Sequence, residues 1–352
     1  MRKKMFYFLA VMALAVGMFA AHAQSTVATV PEGMINFSLP HGTTTYLSLP
    51  LTNNSTCSDT VSAVTTNTIS VDDAPVPLTT SLATPATPYF VKFLSGSESG
   101  RVMLITGNTS STLTLDTTDN NTGDAIALTT TNFSVQVGDA FEIFPGDTLA
   151  SVFGAGTAQS PLLLTGGANI IFSDTLTFYT SAGAPATTYY FNTTNGYWQQ
   201  YGSQANANNV IIYPYAAFCV TLRGSHPDTT LVRGGRVTPV PALTKLIGNG
   251  TIYSSTQYPV DVTLSQLQFG SNWVTGADVL SSDTISVWNA GLRHFDTFYQ
   301  EADSTWRKYP DAVTDQSNFT ITAGAVITIA KREAVTDDTG AYLTSALPYS
   351  LN

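Results

Sequence analysis

The stretch of sequence that decides the fold of this chain is VIIYPYAAFCVTLR at residues 210–223, which recurs as FTITAGAVITIAKR at residues 319–332. Successive side chains of a β-strand point to opposite faces, so apolar residues at alternate positions indicate a strand with one buried face. Both stretches are therefore predicted to be strands, with Cys219 on the face opposite to the buried one. The matched positions of the buried face are Val210, Ile212, Ala216, Phe218, Val220 and Leu222, then Phe319, Ile321, Ala325, Ile327, Ile329 and Lys331.

Two further blocks repeat at nearly the same spacing. Residues 173–179, SDTLTFY, match residues 282–288, SDTISVW, 109 positions later. Residues 198–201, WQQY, match residues 306–309, WRKY, 108 positions later. Three blocks in the same order and at one spacing indicate an internal duplication.

The rest of the chain consists of short alternating runs separated by Gly, Asn, Asp and Pro, which predicts an all-β fold. Residues 56–145 are typical of one small antiparallel barrel or sandwich, with turn residues about every ten positions. We predict a small N-terminal β domain at residues 24–145. Two duplicated β units resembling sandwiches follow it, at residues 146–235 and 236–352.

A fainter similarity offers another division of the chain. Residues 39–49 resemble residues 240–248 in a short apolar pattern after a proline. In this division each unit begins with the same strand, and residues 56–145 are inserted before the first unit continues.

The first residues follow the pattern of a signal peptide. Arg2, Lys3 and Lys4 are basic, residues 5–21 are apolar, and Ala-His-Ala at residues 21–23 is a cleavage site of small residues. We therefore expect residues 1–23 to be removed and the chain to be exported to the periplasm, the cell surface or the medium. No later stretch is long and apolar enough to cross a bilayer as a helix.

The charge of the chain limits its partners. Removal of residues 1–23 leaves 11 Lys and Arg against 24 Asp and Glu, a net charge of −13. An acidic chain is a poor ligand for nucleic acid and for anionic membranes. Charged residues make up only 11% of the sequence, below the usual quarter, so Thr, Ser and Asn supply the polarity.

The two cysteines, Cys57 and Cys219, are candidates for a disulfide, because an exported protein meets oxidising conditions. Sequence alone does not give their distance, so two free thiols are the alternative.

Several short segments together resemble a family of secreted bacterial proteins found as multicopy sets in verrucomicrobial genomes. The resemblance covers nearly the whole chain after the signal peptide and implies export and a duplicated layout. It transfers no catalytic residue, because the family has no assigned activity, and the lead-in at residues 302–305 departs from its Gly-rich pattern. The segments that carry it are Val30–Gly33, Leu49–Leu51, Leu94–Gly96 with Gly100, Thr148–Phe153, Tyr258–Leu264, the blocks at Trp198 and Trp306, and Leu347–Tyr349.

Aromatic residues recur in both repeats and are the candidate ligand-binding residues. Trp198 with Tyr201, and Trp306 with Tyr309, could stack on sugar rings and form a carbohydrate site. The alternative is that they pack on the sheets, since matched positions of duplicated units usually do equivalent packing. Exposure of the two tryptophans would separate these interpretations.

The loop from Asp116 to Asp124, DTTDNNTGD, is the candidate metal site. It collects oxygen ligands in one short segment, as calcium requires, although the spacing is not that of an EF-hand. A polar hairpin loop without metal is the alternative.

Catalytic patterns are weak in this sequence. Residues 96–100, GSESG, have Glu98 where a nucleophile elbow has serine, so a turn between two strands is the better interpretation. Asp174 with Arg223, and Asp283 with Arg332, occupy matched places and are predicted to form an ion pair in each repeat.

We therefore expect an exported, non-enzymatic structural or surface protein without a cofactor. The alternatives are a carbohydrate-binding module and a glycoside hydrolase with an unrecognised carboxylate pair. Binding of a glycan and self-association of the chain are both open.

Overall fold

The computed structural model describes residues 31–72, 78, 81–118, 127–129, 134–179, 186–246, 248–335 and 342–350. These residues form mainly antiparallel β-sheets, which confirms the all-β fold class. The helical segments are short: α1 at Leu149–Phe153 and single 3₁₀ turns at Ile170–Phe172 and Leu264–Gln266. Within the described residues, no helix has the length and apolar character to cross a membrane.

Two strands, β1 (Glu32–Leu39) and β2 (Thr44–Ser48), precede an eight-stranded antiparallel sheet. Its order is β3-β10-β7-β8-β9-β5-β4, with β6 paired to β7, and its apolar residues form a separate core. The strands are β3 (Cys57–Thr60), β4 (Ala63–Val64), β5 (Thr68–Ser70), β6 (Ala83–Thr84), β7 (Thr87–Phe93), β8 (Val102–Asn108), β9 (Thr112–Leu115) and β10 (Ala140–Pro145).

The next part of the chain completes a five-stranded sheet that β2 begins. Its strand order is β14-β13-β12-β16-β2, while β1 pairs with β17 along eight residues. The chain thus leaves this sheet after β2 and returns to it at β12, with residues 57–145 between. The strands are β11 (Asp147–Thr148), β12 (Thr175–Phe178), β13 (Thr187–Asn192), β14 (Tyr197–Gln200), β15 (Ile211–Ile212), β16 (Ala217–Thr221) and β17 (Thr229–Arg236).

The last part forms a second five-stranded sheet of order β19-β26-β22-β23-β24, with a three-stranded sheet β18-β27-β21 beside it. Its strands are β18 (Ala242–Lys245), β19 (Gly248–Ser255), β20 (Val262–Thr263), β21 (Leu267–Phe269), β22 (Thr284–Asn289), β23 (His294–Gln300), β24 (Trp306–Lys308), β25 (Thr320–Ile321), β26 (Val326–Val335) and β27 (Tyr342–Ser345).

The two five-stranded sheets have the same arrangement of strands. Leu176 faces Val220 in the first sheet, and Ile285 faces Ile329, 109 positions later, in the second. The order β2-β16-β12-β13-β14 therefore corresponds to β19-β26-β22-β23-β24.

Strand β2 corresponds to β19 rather than to residues 240–248. Tyr46 faces Cys219 in the first sheet, and Tyr253 faces Thr328 in the second. The similarity of residues 39–49 to residues 240–248 thus correctly indicates that the second unit has a counterpart of β2, but it places that strand too early in the chain. The hydrogen-bond partners of an edge strand, which the sequence does not display, fix its true place.

The buried face predicted from alternation is found in both sheets. Phe218, Val220 and Leu222 lie in the core of the first sheet, and Ile327 and Ile329 lie in the core of the second. Such burial contributes about 1.5–3 kcal/mol for each large apolar side chain. Lys331 is the exception on this face, because its ammonium pairs with the buried carboxylate of Asp283.

The opposite faces of the two sheets carry aromatic residues that meet each other. The Tyr46 ring lies 4.5 Å from Trp288, and the Tyr179 ring lies 4.4 Å from Tyr253. The two contacts are equivalent, because Tyr46 corresponds to Tyr253 and Tyr179 corresponds to Trp288 in the other sheet. The two sheets therefore contact each other through matched surfaces, as in an isologous dimer.

Candidate functional site

The four aromatic residues predicted to bind a sugar do not form one exposed surface. Trp198 is 0% exposed and Trp306 is 1% exposed, whereas Tyr201 and Tyr309 are 65% and 57% exposed. The Trp198 Nε1–H donates to the Gly154 carbonyl at 2.7 Å, so its polar edge is satisfied inside the core. The two tryptophans therefore pack the cores of the sheets and are closed to stacking on a ligand.

Cys57 and Cys219 are not joined to each other by a disulfide, so the candidate pairing is excluded. The two residues lie in different sheets, Cys57 on β3 and Cys219 on β16. Cys219 is buried beside the Tyr179 hydroxyl at 3.6 Å, and burial raises the pKa of its thiol. It points away from the core of its sheet, as alternation predicts, but the aromatic contact between the sheets covers it.

The proposed calcium loop falls mainly outside the described residues, which include only residues 116–118 of it. There the Asp116 carboxylate accepts the Thr118 backbone N–H at 2.9 Å, as in an ordinary Asx turn. Within the described ranges, no group of three His, Cys, Asp or Glu side chains is arranged to hold a metal ion.

The matched aspartates contact the matched arginines through the backbone instead of through the guanidinium. Asp174 accepts the Arg223 backbone N–H at 2.8 Å, and Asp283 accepts the Arg332 backbone N–H at 2.6 Å. The Arg223 guanidinium donates to the Ser173 and Ile170 carbonyls. The two matched positions thus each hold a buried carboxylate that fixes a strand end, and the predicted ion pair of Asp174 with Arg223 is wrong.

A cavity of about 240 Å³ lies where three parts of the chain meet. One wall comes from the eight-stranded sheet and another from the first five-stranded sheet with its loops. The third comes from β18, β19 and the residues that follow β19. We call this space the junction cavity. The residues that define it are Phe90, Gly100, Arg101, Val102, Met103, Asp116, Thr118, Phe178, Tyr179, Thr187, Tyr189, Val210, Ile211, Tyr213, Pro214, Tyr215, Ala216, Leu243, Thr244, Lys245, Ser254 and Gln257.

A buried charged group of three residues adjoins the junction cavity, and two of them, Arg101 and Lys245, line it. Glu98 lies in the turn between β7 and β8, and its carboxylate accepts from Arg101 Nη1 at 3.0 Å. The other carboxylate oxygen of Glu98 lies 3.2 Å from Lys245 Nζ on β18. All three side chains are almost completely buried, so these contacts lie in a region with little water.

Gly100 brings this turn against the rest of the chain. Its φ is +92°, and a Cβ on it would lie 2.1 Å from the Pro241 carbonyl oxygen. Only glycine adopts this conformation without strain and allows so close an approach. Because Arg101 is the next residue, this contact sets its position beside Lys245.

Two further residues of the cavity wall have strained backbones. Tyr215 and Gln257 have φ values of 66° and 62°, in the left-handed region that side chains disfavour. The Gln257 amide donates to the Thr244 hydroxyl at 2.7 Å, so it is fixed in its place. Strain of this kind persists where the surroundings enforce it and is concentrated at functional sites.

Tyr215 connects the cavity wall to a buried lysine. Lys92 Nζ donates to the Tyr215 hydroxyl at 3.1 Å and to the Thr238 hydroxyl, and lies 5.4 Å from the Tyr215 ring. Burial lowers the pKa of Lys92 to about 7, against the opposing effect of the Glu142 carboxylate. Glu142 is itself paired with Arg236.

The wall is therefore amphipathic. Six aromatic rings supply flat apolar faces, while Arg101, Lys245, Thr244, Ser254 and Gln257 supply polar groups. Ligand sites in proteins combine these features, and their volumes begin at about 300 Å³, close to the volume here. An apolar cavity of about 150 Å³ already binds benzene.

The sequence carries two signals of this site, although neither of them identifies it. Pro214-Tyr215 stands where the matched stretch has Ala323-Gly324, so a bulky residue replaces a glycine within an otherwise similar strand. Lys245 ends the short, mainly apolar run VPALTK at residues 240–245, in a chain with few charges. The cavity forms through tertiary contacts between three segments that are distant in sequence, and neither signal predicts those contacts.

No protein-family model, no curated protein and no solved structure matches this chain.

Proposed function

We propose that this chain is an exported, non-enzymatic binding protein that holds a small ligand in the junction cavity. The proposal is carried by the cavity itself, whose amphipathic walls come from three segments far apart in the sequence. We infer export from the basic, apolar and small-residue pattern of residues 1–23. We attribute the two matched sheets to an internal duplication.

The strained residues support binding over mere imperfect packing. Tyr215 and Gln257 each carry a conformational cost of about 1–3 kcal/mol, and both line the cavity. Packing alone would favour glycine at position 215, and the matched position does carry a glycine, Gly324. We infer that the side chain of Tyr215 is retained for what it does at the cavity wall.

Binding fits the carboxylates better than glycoside hydrolysis does. Hydrolysis requires one carboxyl group as an acid and a second as a base or nucleophile, about 5–10 Å apart. The Glu98 carboxylate is already engaged by Arg101 and Lys245. Asp116 is the one carboxylate among the described residues that line the cavity.

A surface or matrix role is the second candidate, and one observation favours it. Exposed apolar residues recur at matched positions of the two five-stranded units: Ile171 with Leu280, and Tyr201 with Tyr309. Such side chains could contact a second copy of the chain. Light scattering of the purified protein over a range of concentrations measures this directly.

The test of the proposed function is a thermal-shift screen of purified residues 24–352 against small sugars, aromatic acids and amino acids. A ligand at 100 times its dissociation constant stabilises the folded protein by about 2.7 kcal/mol. We expect at least one chemical class to raise the melting temperature and to saturate in titration calorimetry.

The matched pair of variants locates the binding site. Ala216→Phe adds a ring to the cavity wall, whereas Ala63→Phe adds the same ring to exposed strand β4. We expect Ala216→Phe to weaken binding at least tenfold while remaining folded, and Ala63→Phe to leave it unchanged. Failure of the whole screen, or equal binding by Ala216→Phe, would contradict the proposal.

A further inference from the structure

Hydrogen-bonding groups line the junction cavity on each of its three walls. Asp116 follows β9 of the eight-stranded sheet, and Tyr189 lies on β13 of the first five-stranded sheet. On the third wall, Thr244 lies on β18 and Gln257 follows β19. A ligand with a single polar end would meet the polar groups of one wall and leave those of the other two without a partner. The cavity therefore fits a ligand that carries several polar groups around its body.

Two side chains of the wall are more than nine-tenths buried and keep a polar atom without a partner in the described chain. Tyr189 is 8% exposed, and its hydroxyl makes no hydrogen bond with a described residue. Gln257 is 6% exposed; its amide nitrogen donates to the Thr244 hydroxyl at 2.7 Å, and its side-chain carbonyl has no donor among the described residues. Buried polar groups are costly to leave unpaired. Because both side chains line the cavity, a ligand bound there supplies the hydrogen bonds that the chain does not.

The chemistry of these groups selects hydroxyls on the ligand. The Gln257 carbonyl only accepts, whereas the hydroxyls of Tyr189 and Tyr213 both donate and accept. Burial and the nearby charge of Asp116 raise the pKa of Tyr213 to about 12, so its hydroxyl keeps its proton at neutral pH. An alcohol both gives and takes hydrogen bonds, so it can pair with every one of these groups. The two groups that lack partners are uncharged, so their recognition requires no charge on the ligand.

The aromatic part of the wall indicates the body of the ligand. Aromatic faces pack against the flat apolar faces of other rings, including the C–H face of a sugar ring. The volume of about 240 Å³ holds one six-membered ring with its substituents, since benzene fits about 150 Å³. The aromatic residues that surround this volume are Phe90, Phe178, Tyr179, Tyr189, Tyr213 and Tyr215.

This inference rests on the proposed function and gives the ligand its chemical class. We propose that the junction cavity binds a neutral monosaccharide, whose hydroxyls donate to the Gln257 carbonyl and pair with the Tyr189 hydroxyl. The aromatic faces of the wall pack against the C–H groups of the sugar ring. A ring of the same size with one hydroxyl meets the polar groups of one wall only and binds more weakly.

The experiment compares sugars with rings that carry a single hydroxyl, by titration calorimetry on residues 24–352. The sugar probes are glucose, galactose, mannose, xylose and N-acetylglucosamine. The comparison probes are cyclohexanol, which has a saturated ring, and phenol, which has an aromatic ring. We expect at least one sugar to saturate a single site per chain and to bind at least tenfold more tightly than either comparison probe.

A matched pair of variants tests the contact with Tyr189. Tyr189→Phe keeps the ring and removes a hydroxyl that has no partner in the described chain, so the variant should fold like the unaltered chain. Its affinity for the sugar should fall by about threefold to tenfold, the effect of one lost hydrogen bond. The control is Tyr190→Phe, which removes a hydroxyl on the opposite face of the same strand that donates to Gln199 at 3.2 Å. Sugar binding by Tyr190→Phe should be unchanged.

The failure of this inference and the failure of the proposed function are distinguishable. Binding of phenol, or of another ligand from the thermal-shift screen, without binding of any sugar probe would overturn the inference and leave the proposed function intact. Sugar binding no tighter than that of cyclohexanol, or equally strong in Tyr189→Phe, would also overturn the inference. Binding of none of these probes, together with an empty thermal-shift screen, would overturn the proposed function itself.

Discussion

At the residue scale, Tyr215 is informative because its matched position carries Gly324. Both residues have positive φ, 66° and 71°. Glycine is required at 324, because a Cβ there would lie 2.5 Å from the Phe37 ring. Tyr215 adopts the same conformation at a cost of about 1–3 kcal/mol, which the hydrogen bond that it accepts from Lys92 and its buried ring offset.

Lys92 gives a prediction about pH. Its pKa is about 7 in the folded chain and 10.5 when exposed, so between these values the unfolded chain binds more protons. The free energy of unfolding therefore rises with pH above 7, by up to about 1.4 kcal/mol per pH unit. Urea unfolding at pH 7.0, 7.5, 8.0 and 8.5 measures this slope.

The control for this slope is Lys92→Met, which places an unbranched side chain of similar length there and removes the titration. Its free energy of unfolding should vary less with pH over the same interval. The interval ends at pH 8.5 because burial raises the pKa of Cys219 and of several tyrosines, and their ionisation in the unfolded chain reverses the trend. A slope shared by both proteins would assign the effect to another group.

At the element scale, the strands could be predicted from the sequence and their partners could not. Alternation of apolar residues correctly gives the buried faces of β16 and β26, because side-chain direction is a local property. The pairing of β2 with β16, across 57–145, depends on contacts far apart in sequence. The same limit explains Trp198 and Trp306, whose repetition is visible in the sequence while their burial is not.

The contact between the two five-stranded sheets gives a prediction about coupling. Tyr179 stacks on Tyr253 at 4.4 Å and an interplanar angle of 18°, and Tyr46 meets Trp288 at 4.5 Å. Aromatic pairs contribute about 0.5–1.5 kcal/mol beyond the area that they bury. We expect double-mutant cycles to alanine, followed by urea unfolding, to give coupling of this size for both pairs.

The matched control is a cycle between Tyr253 and Tyr201, which is exposed and makes no ring contact with it among the described residues. Its coupling energy should be below about 0.5 kcal/mol, since distant sites add independently. Coupling of similar size in all three cycles would mean that the substitutions disturb the whole chain instead of the sheet contact.

At the scale of the whole molecule, the junction cavity exists because residues 57–145 are inserted between strands of the first five-stranded sheet. Asn53 Nδ2 donates to the Pro145 carbonyl at 2.9 Å, so the two ends of this segment lie side by side. The segment has a core of its own, and it contributes Arg101 and Phe90 to the cavity. The fold and the candidate site thus come from different parts of the sequence.

This separation gives the last prediction. Replacement of residues 55–145 by a four-residue Gly-Ser linker should leave the two five-stranded sheets folded. The described residues of their two cores all lie outside this segment, and the linker has only a short distance to span between the ends of the segment. The loss of the Glu142 and Glu98 carboxylates leaves Arg236 and Lys245 in contact with water, where their charges are solvated. Circular dichroism should retain a cooperative β-sheet transition, and calorimetry should show no binding of any ligand of the complete chain. Binding that survived the replacement would exclude the junction cavity as the site, whereas an unfolded product would show that the inserted sheet is needed for the stability of the other two.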